Sequence, residues 1–184
     1  MMTEAKKKSA SIGVLILTLF LVTAVMSGLL GLVNYVTKDR IAAYKAESMD
    51  SAMREVLPAD SYTQVEYGGG DALVAGVWEA GGGYVVEVVP SGFGGEVDMM
   101  VGVGADGKVT GVSIVSMSET SGLGSNASKP EFRAQYAGKS EAKLKKDGGD
   151  VDALTGATVT SRAVTRGVNA ALAAAEYMRG GEGK

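Results

Sequence analysis

The sequence predicts an α+β fold, with a single N-terminal transmembrane helix followed by one domain in which an antiparallel sheet is flanked by helices. Three observations predict it. Residues 9–37 contain no charged side chain, residues 62–116 change to the two-residue period of strands, and residues 161–178 carry an apolar stripe at helical spacing. The 184 residues leave room for one domain of ordinary size beyond the membrane segment.

The uncharged segment is long enough to cross a membrane, because a helix that spans the bilayer core needs about 20 apolar residues. Residues 1–8 precede it as a polar tail that ends in three lysines, and positive charge stays on the cytoplasmic side. We therefore expect a cytoplasmic tail at 1–8, an anchor in membrane lipid at 9–37 and the rest of the chain outside the cytoplasm. A cleaved signal peptide, with small residues at 24–27, is the rival interpretation, but the apolar run is longer than a typical signal core.

Residues 38–60 are predicted to form a juxtamembrane helix that continues from the anchor. Apolar residues recur near helical spacing up to Val56, and Pro58 closes the segment. We expect this helix to cover the domain, and we assign it no chemistry.

Four antiparallel strands are predicted in the region that follows. The first two are joined by the three glycines at 81–83, and the last two flank Asp106 and Gly107, which form a strong turn dipeptide. The predicted strands are residues 72–79, 84–90, 97–103 and 109–115.

A short helix and a polar connector are predicted after the strands. Residues 130–136 have helical spacing, with Phe132 and Tyr136 on one face. Residues 139–150 are rich in Lys, Gly and Asp, and their lysines are expected to face solvent.

The composition excludes several kinds of chemistry. The chain has no Cys and no His, which excludes a Cys-ligated iron–sulfur cluster, a typical zinc site, a disulfide framework and a Cys or His nucleophile. Any redox chemistry must therefore come from an organic cofactor, and we predict no metal ligands and no catalytic side chains. The net charge of -3 argues against nucleic acid as a partner.

The stretch 152–161 lies where a loop meets the C-terminal helix, which is predicted to begin near Thr160 or Ser161 and to end at the glycines 180–181. Gly156 and Ala157 let a ligand approach the backbone, and the free amides at the helix start can face an anion. Local physics alone favours an ordinary helix cap here. The stretch carries four hydroxyl groups, on Thr155, Thr158, Thr160 and Ser161. The apolar stripe of the helix consists of Val164, Val168, Ala171, Leu172, Ala175 and Met178.

A resemblance changes that interpretation. The pattern Asp-x-x-Thr-Gly-Ala-Thr, followed by x-Thr-Ser, resembles the flavinylation motif of the G subunit of Rnf complexes and of the C subunit of the sodium-translocating NADH:quinone oxidoreductases. The resemblance implies that FMN is joined through its phosphate, as an ester, to the hydroxyl of Thr158. It also implies a separate flavin transferase that takes the FMN unit from FAD and recognises Asp152. Residues 61–184 would then be an extracytoplasmic FMN-binding domain.

Two further segments resemble the same families. Residues 118–124 resemble the Glu-Thr-x-Gly-Leu-Gly loop that lines the flavin, although Ser121 stands where many members have Pro, and residues 92–95 resemble a Gly-aromatic-Gly-Gly element. The loop is expected to hydrogen-bond the polar edge of the flavin through Glu119 and Thr120, and to pack on its ring through Leu123. The cofactor contacts implied beside Thr158 are Thr155, Gly156, Ala157, Thr160, Ser161, Glu119, Thr120, Gly122, Leu123 and Gly124.

The resemblance covers nearly the whole chain and implies a membrane-anchored flavoprotein of an Rnf-type complex. That complex moves electrons between ferredoxin and NAD⁺ and couples this transfer to transport of Na⁺ or H⁺. The implied partners are the other membrane subunits of the complex and, during maturation, the flavin transferase. Three alternatives remain open: the C subunit of the sodium-pumping quinone reductase, a stand-alone extracytoplasmic flavin carrier, and an anchored binding domain without redox chemistry. The compact length favours the Rnf protein over the first of these.

Overall fold

The computed structural model of the chain describes residues 12–181. The predicted tail at 1–8 and its lysines lie outside the described residues. The first helix, α1, runs from Ile12 to Val56, and the chain divides into two compact units between Tyr44 and Lys45. Among the described residues, α1 is the one helix long and apolar enough to cross a membrane. It fits the predicted anchor and continues as a helix to Val56, within the segment 38–60 that was predicted to be helical.

Five strands form one sheet in the order β1-β2-β3-β4-β5, with every neighbouring pair antiparallel. The α+β prediction and the four predicted strands are confirmed, with ends that differ by a residue or two. The sequence did not predict β1, a three-residue edge strand whose first two side chains are exposed. The strands are β1 Thr63–Val65, β2 Val74–Ala80, β3 Gly83–Val88, β4 Val97–Val103 and β5 Val109–Met117.

The turn between β2 and β3 shows why glycines occupy residues 81–83. Ala80 pairs with Gly83, so Gly81 and Gly82 alone form the turn. Their φ angles of 56° and 82° lie in the left-handed region, as a type I′ hairpin turn requires and as only glycine adopts readily. The predicted hairpin is therefore confirmed.

Helices cover both faces of the sheet, which explains why every residue of β3 and β4 is buried. The C-terminal helix, α3 (Thr158–Gly181), packs on the face that carries Val86, Val88 and Met99. The end of α1 packs on the other face, where Val56 lies in a second apolar cluster. The other buried members of that cluster are Ala52, Val85 and Met100.

Two acidic side chains are buried on the sheet face that α1 covers. Glu87 of β3 and Asp98 of β4 are 8% and 6% exposed. Lys45 of α1 lies with its Nζ 3.1 Å from an Asp98 oxygen and 3.8 Å from a Glu87 oxygen. Burial, and then the neighbouring charge of Asp98, raise the pKa of Glu87. Charge as well as apolar contact therefore joins α1 to the sheet.

The segment between β5 and α3 has little regular structure. The predicted helix at 130–136 is split into α2 (Pro130–Arg133) and a 3₁₀ turn, Ala134–Tyr136. Its two aromatic side chains are buried on one face, as predicted, and their ring centroids lie 5.6 Å apart in an edge-to-face arrangement. In the connector the lysines at 143, 145 and 146 are exposed, whereas Ala142 and Leu144 are buried in the core.

The C-terminal helix confirms the predicted apolar stripe. Five of its six positions are buried, and Met178 is half-buried. The predicted start of the helix is wrong, because α3 begins at Thr158, two to three residues earlier than expected. Its last residue, Gly181, falls at the predicted glycine pair.

Candidate functional site

A cavity of about 350 Å³ lies where three loops meet the first turn of α3. All three sequence motifs contribute to it, although lining residues from different motifs are 26 to 67 residues apart along the chain. Of the predicted contacts, Thr155, Gly122 and Ser161 do not line the cavity, and neither does Asp152. The lining residues are Phe93, Glu119, Thr120, Leu123, Gly124, Gly156, Ala157, Thr158, Val159 and Thr160.

The first turn of α3 has no side-chain cap. Thr158 is the first residue of the helix, and Ala157, which precedes it, accepts the first helical hydrogen bond, from the amide of Ser161 at 3.0 Å. The side chain of an alanine has no oxygen that could accept a hydrogen bond from the free amides of residues 158–160. The expected cap by a hydroxyl or a carboxylate is therefore not formed. The positive end of the helix is left open to an anion at the cavity wall.

The four hydroxyls of the motif have different surroundings. Ser161 is fully buried, and its Oγ accepts from the amide of Leu154 and donates to the carbonyl of Ala157, both at 2.9 Å. Thr160 is also fully buried. Thr155 is exposed but lies outside the cavity lining, whereas Thr158 is half-exposed and lines the cavity.

Thr160 presents an unsatisfied polar atom at the cavity. Its Oγ1 is buried and has no hydrogen-bond partner in the described part of the chain. Gly124 lies against it so closely that a Cβ at this glycine would be 2.9 Å from that oxygen and 2.5 Å from Glu119 Oε2. An unpaired buried hydroxyl typically costs about 1–3 kcal/mol. A polar ligand in the cavity is a suitable partner for it.

Glu119 is engaged by the protein itself. Its Oε1 accepts a hydrogen bond from the amide of Phe93 at 2.7 Å, and its Oε2 accepts from the amide of Gly94 at 3.4 Å. The carboxylate thus connects the 118–124 loop directly to the 92–95 loop, and both loops contribute to the cavity lining. Sequence reasoning missed this role. The signal was available, since the adjacent glycines of residues 92–95 leave backbone amides open to an acceptor.

The rim of the cavity is apolar. Phe93 is 73% exposed, and Leu123 and Val159 are exposed as well, although all three are large apolar side chains. Gly156, with a φ of 75°, brings the backbone so close to Leu123 that a Cβ would lie 3.1 Å from its Cδ2. The site combines a flat apolar rim with an anion-compatible helix end, which suits an aromatic ligand that carries a phosphate.

Asp152 lies apart from the cavity lining. Its carboxylate is exposed and pairs with Lys145 at 2.7 Å, and its amide donates to the side-chain oxygen of Gln135 at 2.7 Å. Its position is accessible to a partner protein. Within residues 12–181, no group of three or more His, Cys, Asp or Glu side chains is placed to hold a metal ion.

Comparison with known proteins accounts for this arrangement. Residues 2–56 match the model of the RnfG N-terminal region, and residues 92–173 match the model of the FMN-binding domain. The chain is 36% identical over 168 residues to the G subunit of the proton-translocating ferredoxin:NAD(+) oxidoreductase complex of Clostridium ljungdahlii, covering 88% of this chain and 90% of that protein. The chain belongs to the RnfG family.

Another relative agrees with membership in the RnfG family. The G subunit of the Na(+)-translocating ferredoxin:NAD(+) oxidoreductase complex of Acetobacterium woodii is 34% identical over 182 residues, covering 85% of this chain and 87% of that protein. The predicted family is confirmed, and the matched FMN-binding domain contains the whole cavity. Among solved structures, the C subunit of the Na(+)-translocating NADH-quinone reductase from Parabacteroides distasonis has a TM-score of 0.49 and 24% identity, and the match covers 72% of this chain and 82% of that one.

Proposed function

We propose that this RnfG-family chain is the membrane-anchored flavoprotein subunit of an Rnf-type ferredoxin:NAD⁺ oxidoreductase and carries FMN esterified to Thr158. One observation supports this assignment above all. Of the four hydroxyls in the motif, that of Thr158 is the one on a residue that is both solvent-accessible and part of the cavity lining. The hydroxyls of Thr160 and Ser161 belong to fully buried residues, where a second protein has no access to them.

The residues that line the cavity suit both the phosphate and the flat ring of FMN. The uncapped amides of residues 158–160 suit the single negative charge that a phosphodiester keeps. The exposed Leu123 and Phe93 offer apolar surface to a flat ring, and the unpaired hydroxyl of Thr160 offers a hydrogen bond. Bound FMN supplies the redox chemistry, because the chain has no Cys or His, and the protein supplies position and electrostatics.

Maturation requires a phosphoryl transfer. Thr158 would supply its hydroxyl oxygen as the nucleophile for the FMN phosphorus of FAD, and the bond to the second phosphate would break with release of AMP and of the hydroxyl proton. Among the residues that line the cavity, Glu119 is the one with an ionisable side chain. Its carboxylate oxygens accept hydrogen bonds from backbone amides, so it is not placed as a general base for Thr158. The resemblance of the motif implies that a separate transferase catalyses this step, and we propose that it recognises Asp152 on the exposed side of the motif. The flavin domain would lie outside the cytoplasm, and the remaining subunits of the complex would carry electrons to it.

Intact mass tests the attachment. The full-length chain, co-expressed with a flavin transferase, should gain the mass of one FMN minus water, and peptide mapping should place it at Thr158. Thr158→Val should abolish the adduct, whereas Thr158→Ser should retain it because a hydroxyl remains at the same place. Thr63→Val, at an exposed threonine outside the three motifs, is the control and should be loaded normally. Flavin fluorescence on denatured Thr158→Val protein would refute the assignment.

A further inference from the structure

The 92–95 loop is held in place by a residue far from it in sequence. Glu119 accepts hydrogen bonds from the amides of Phe93 and Gly94, 26 and 25 residues earlier in the chain. The loop is closed on itself as well, because the amide of Gly92 donates to the carbonyl of Gly95 at 2.7 Å. The conformation of its backbone is therefore determined by a hydrogen bond within the loop and by the carboxylate of Glu119 in the neighbouring loop.

Glycines allow the carboxylate to come this close. A Cβ at Gly92 would lie 2.0 Å from Glu119 Oε1, and one at Gly94 would lie 2.2 Å from the carbonyl oxygen of Ser118. On the other side, a Cβ at Gly124 would lie 2.5 Å from Glu119 Oε2. Any side chain at these three positions would displace the carboxylate or the loop.

Phe93 is the one side chain larger than hydrogen in this loop. Its ring is 73% exposed and lines the cavity. A phenyl ring that the backbone holds in water at the mouth of an apolar site gains both burial and ring-on-ring contact when a flat aromatic ligand enters.

We infer that Glu119 is a positioning residue: it fixes the backbone of residues 92–95 so that the ring of Phe93 covers one face of the flavin, and it does not itself bind the flavin. This inference rests on the proposed function, since it requires FMN in the cavity. It replaces the expectation that Glu119 hydrogen-bonds the polar edge of the flavin. Its two oxygens accept the amides of Phe93 and Gly94 at 2.7 and 3.4 Å, and these charge-assisted bonds hold the carboxylate against the loop.

The first test uses the flavin-free, full-length chain in detergent and is independent of loading. Hydrogen exchange of the peptide that covers residues 91–96 should speed up severalfold in Glu119→Gln, because an amide side chain offers a single acceptor in place of two. Glu96→Gln makes the same change of charge next to the loop and should exchange as the unmodified sequence does. Unchanged exchange in Glu119→Gln would overturn the inference.

The second test measures how well the flavin is covered. In the loaded chain, quenching of flavin fluorescence by neutral acrylamide should increase about twofold in Phe93→Ala, because one of the two faces of the ring becomes open. Glu119→Gln should increase the quenching constant by a similar factor, and the double variant should show no further increase beyond Phe93→Ala. The neutral quencher keeps the lost charge from affecting the result, and Glu96→Gln again serves as the control.

The outcomes separate this inference from the function on which it rests. A chain of unmodified sequence that gains no flavin mass overturns the proposed function. A flavin-loaded Glu119→Gln chain with an unchanged quenching constant overturns the inference and leaves the proposed function standing. A quenching constant of the double variant above that of Phe93→Ala also overturns the inference, because it would show that Glu119 contacts the flavin directly. Failure of Glu119→Gln to load while Phe93→Ala loads normally overturns it too. If neither Glu119→Gln nor Phe93→Ala is loaded with flavin, the quenching comparison is made with Glu119→Asp and Phe93→Leu instead. These milder variants keep a carboxylate and an apolar side chain, respectively.

Discussion

Replacing Thr160 with valine should change the stability of the domain in opposite directions with and without flavin. The residue is fully buried and its hydroxyl has no partner in the described part of the chain, whereas valine has nearly the same shape and no polar atom. An unsatisfied buried hydroxyl costs about 1–3 kcal/mol, so its removal should stabilise the flavin-free chain by about 1 kcal/mol. For the compact unit from Lys45 to Lys184 this corresponds to a rise in Tm of about 3–4 °C.

In the flavin-loaded chain the sign should reverse. If the hydroxyl of Thr160 donates to the ligand, as the proposed function implies, its loss removes a hydrogen bond that contributes about 1 kcal/mol. Thr160→Val should then melt a few degrees below the loaded chain of unmodified sequence. Scanning calorimetry of the detergent-solubilised chain in both states measures the two shifts directly.

Thr165→Val is the matched control, five residues further along the same helix. The hydroxyl of Thr165 donates to the carbonyl of Ser161 at 2.8 Å and lies 3.0 Å from the hydroxyl of the buried Tyr136. Its removal leaves that tyrosine hydroxyl without this partner. The free energy of unfolding should then fall by about 1–3 kcal/mol, and Tm should fall, both with and without flavin. A fall in Tm of the flavin-free Thr160→Val chain as large as that of the control would refute the reasoning, because it would show that the hydroxyl of Thr160 is paired.

Three further predictions concern pH, maturation and topology. Because the pKa of Glu87 is raised above its ordinary value of 4.5, the folded state holds that proton more tightly than the unfolded state, and stability should decline as pH rises through the raised pKa; Glu87→Gln should remove this part of the decline in urea titrations across pH 4–8. Asp152→Asn should lower flavin incorporation severalfold by intact mass while costing less than about 1 kcal/mol of stability, since its ion pair is exposed; loading at the normal rate would contradict it. A cysteine at the exposed Ser140 should react with an impermeant thiol reagent in cells stripped of wall or outer membrane, and labelling only after lysis would place the domain inside.

Apolar, β-branched runs between turn residues predicted the sheet well, because strands that are buried on both faces are apolar along nearly their whole length. Residues 97–103 form β4 with the predicted ends. The turn at Gly81 and Gly82 was predictable because it requires positive φ angles, which residues other than glycine adopt poorly. β1 escaped prediction because three residues at an edge, two of them exposed and polar, carry no pattern. Its position is determined by pairing with β2, which is a tertiary effect.

The sequence predicted which residues lie near one another more than it predicted their contacts. Spacing and resemblance brought the Thr158 stretch and the Glu119 loop together, and the structure lines one cavity with residues from both. The start of α3 was misplaced because Thr160 and Ser161 have the composition of a cap, whereas both are buried inside the helix and Ala157 occupies the cap position. That Glu119 accepts amides from Phe93 and Gly94 depends on chain segments about 25 residues apart, which local reasoning does not relate.

The alanine that precedes α3 has a consequence for the order of events during maturation. A polar cap typically contributes about 1 kcal/mol, so a helix that begins after Ala157 frays more often in its first turn than a capped one. Under the proposed attachment, fraying lets Thr158 leave the helix and enter the active site of another enzyme. The phosphate added there supplies the acceptor oxygens that alanine lacks, and the same turn then closes more firmly. The reaction thus starts from a frayed first turn of α3 and ends with a stably folded one. This difference favours release of the flavin-loaded chain from the enzyme.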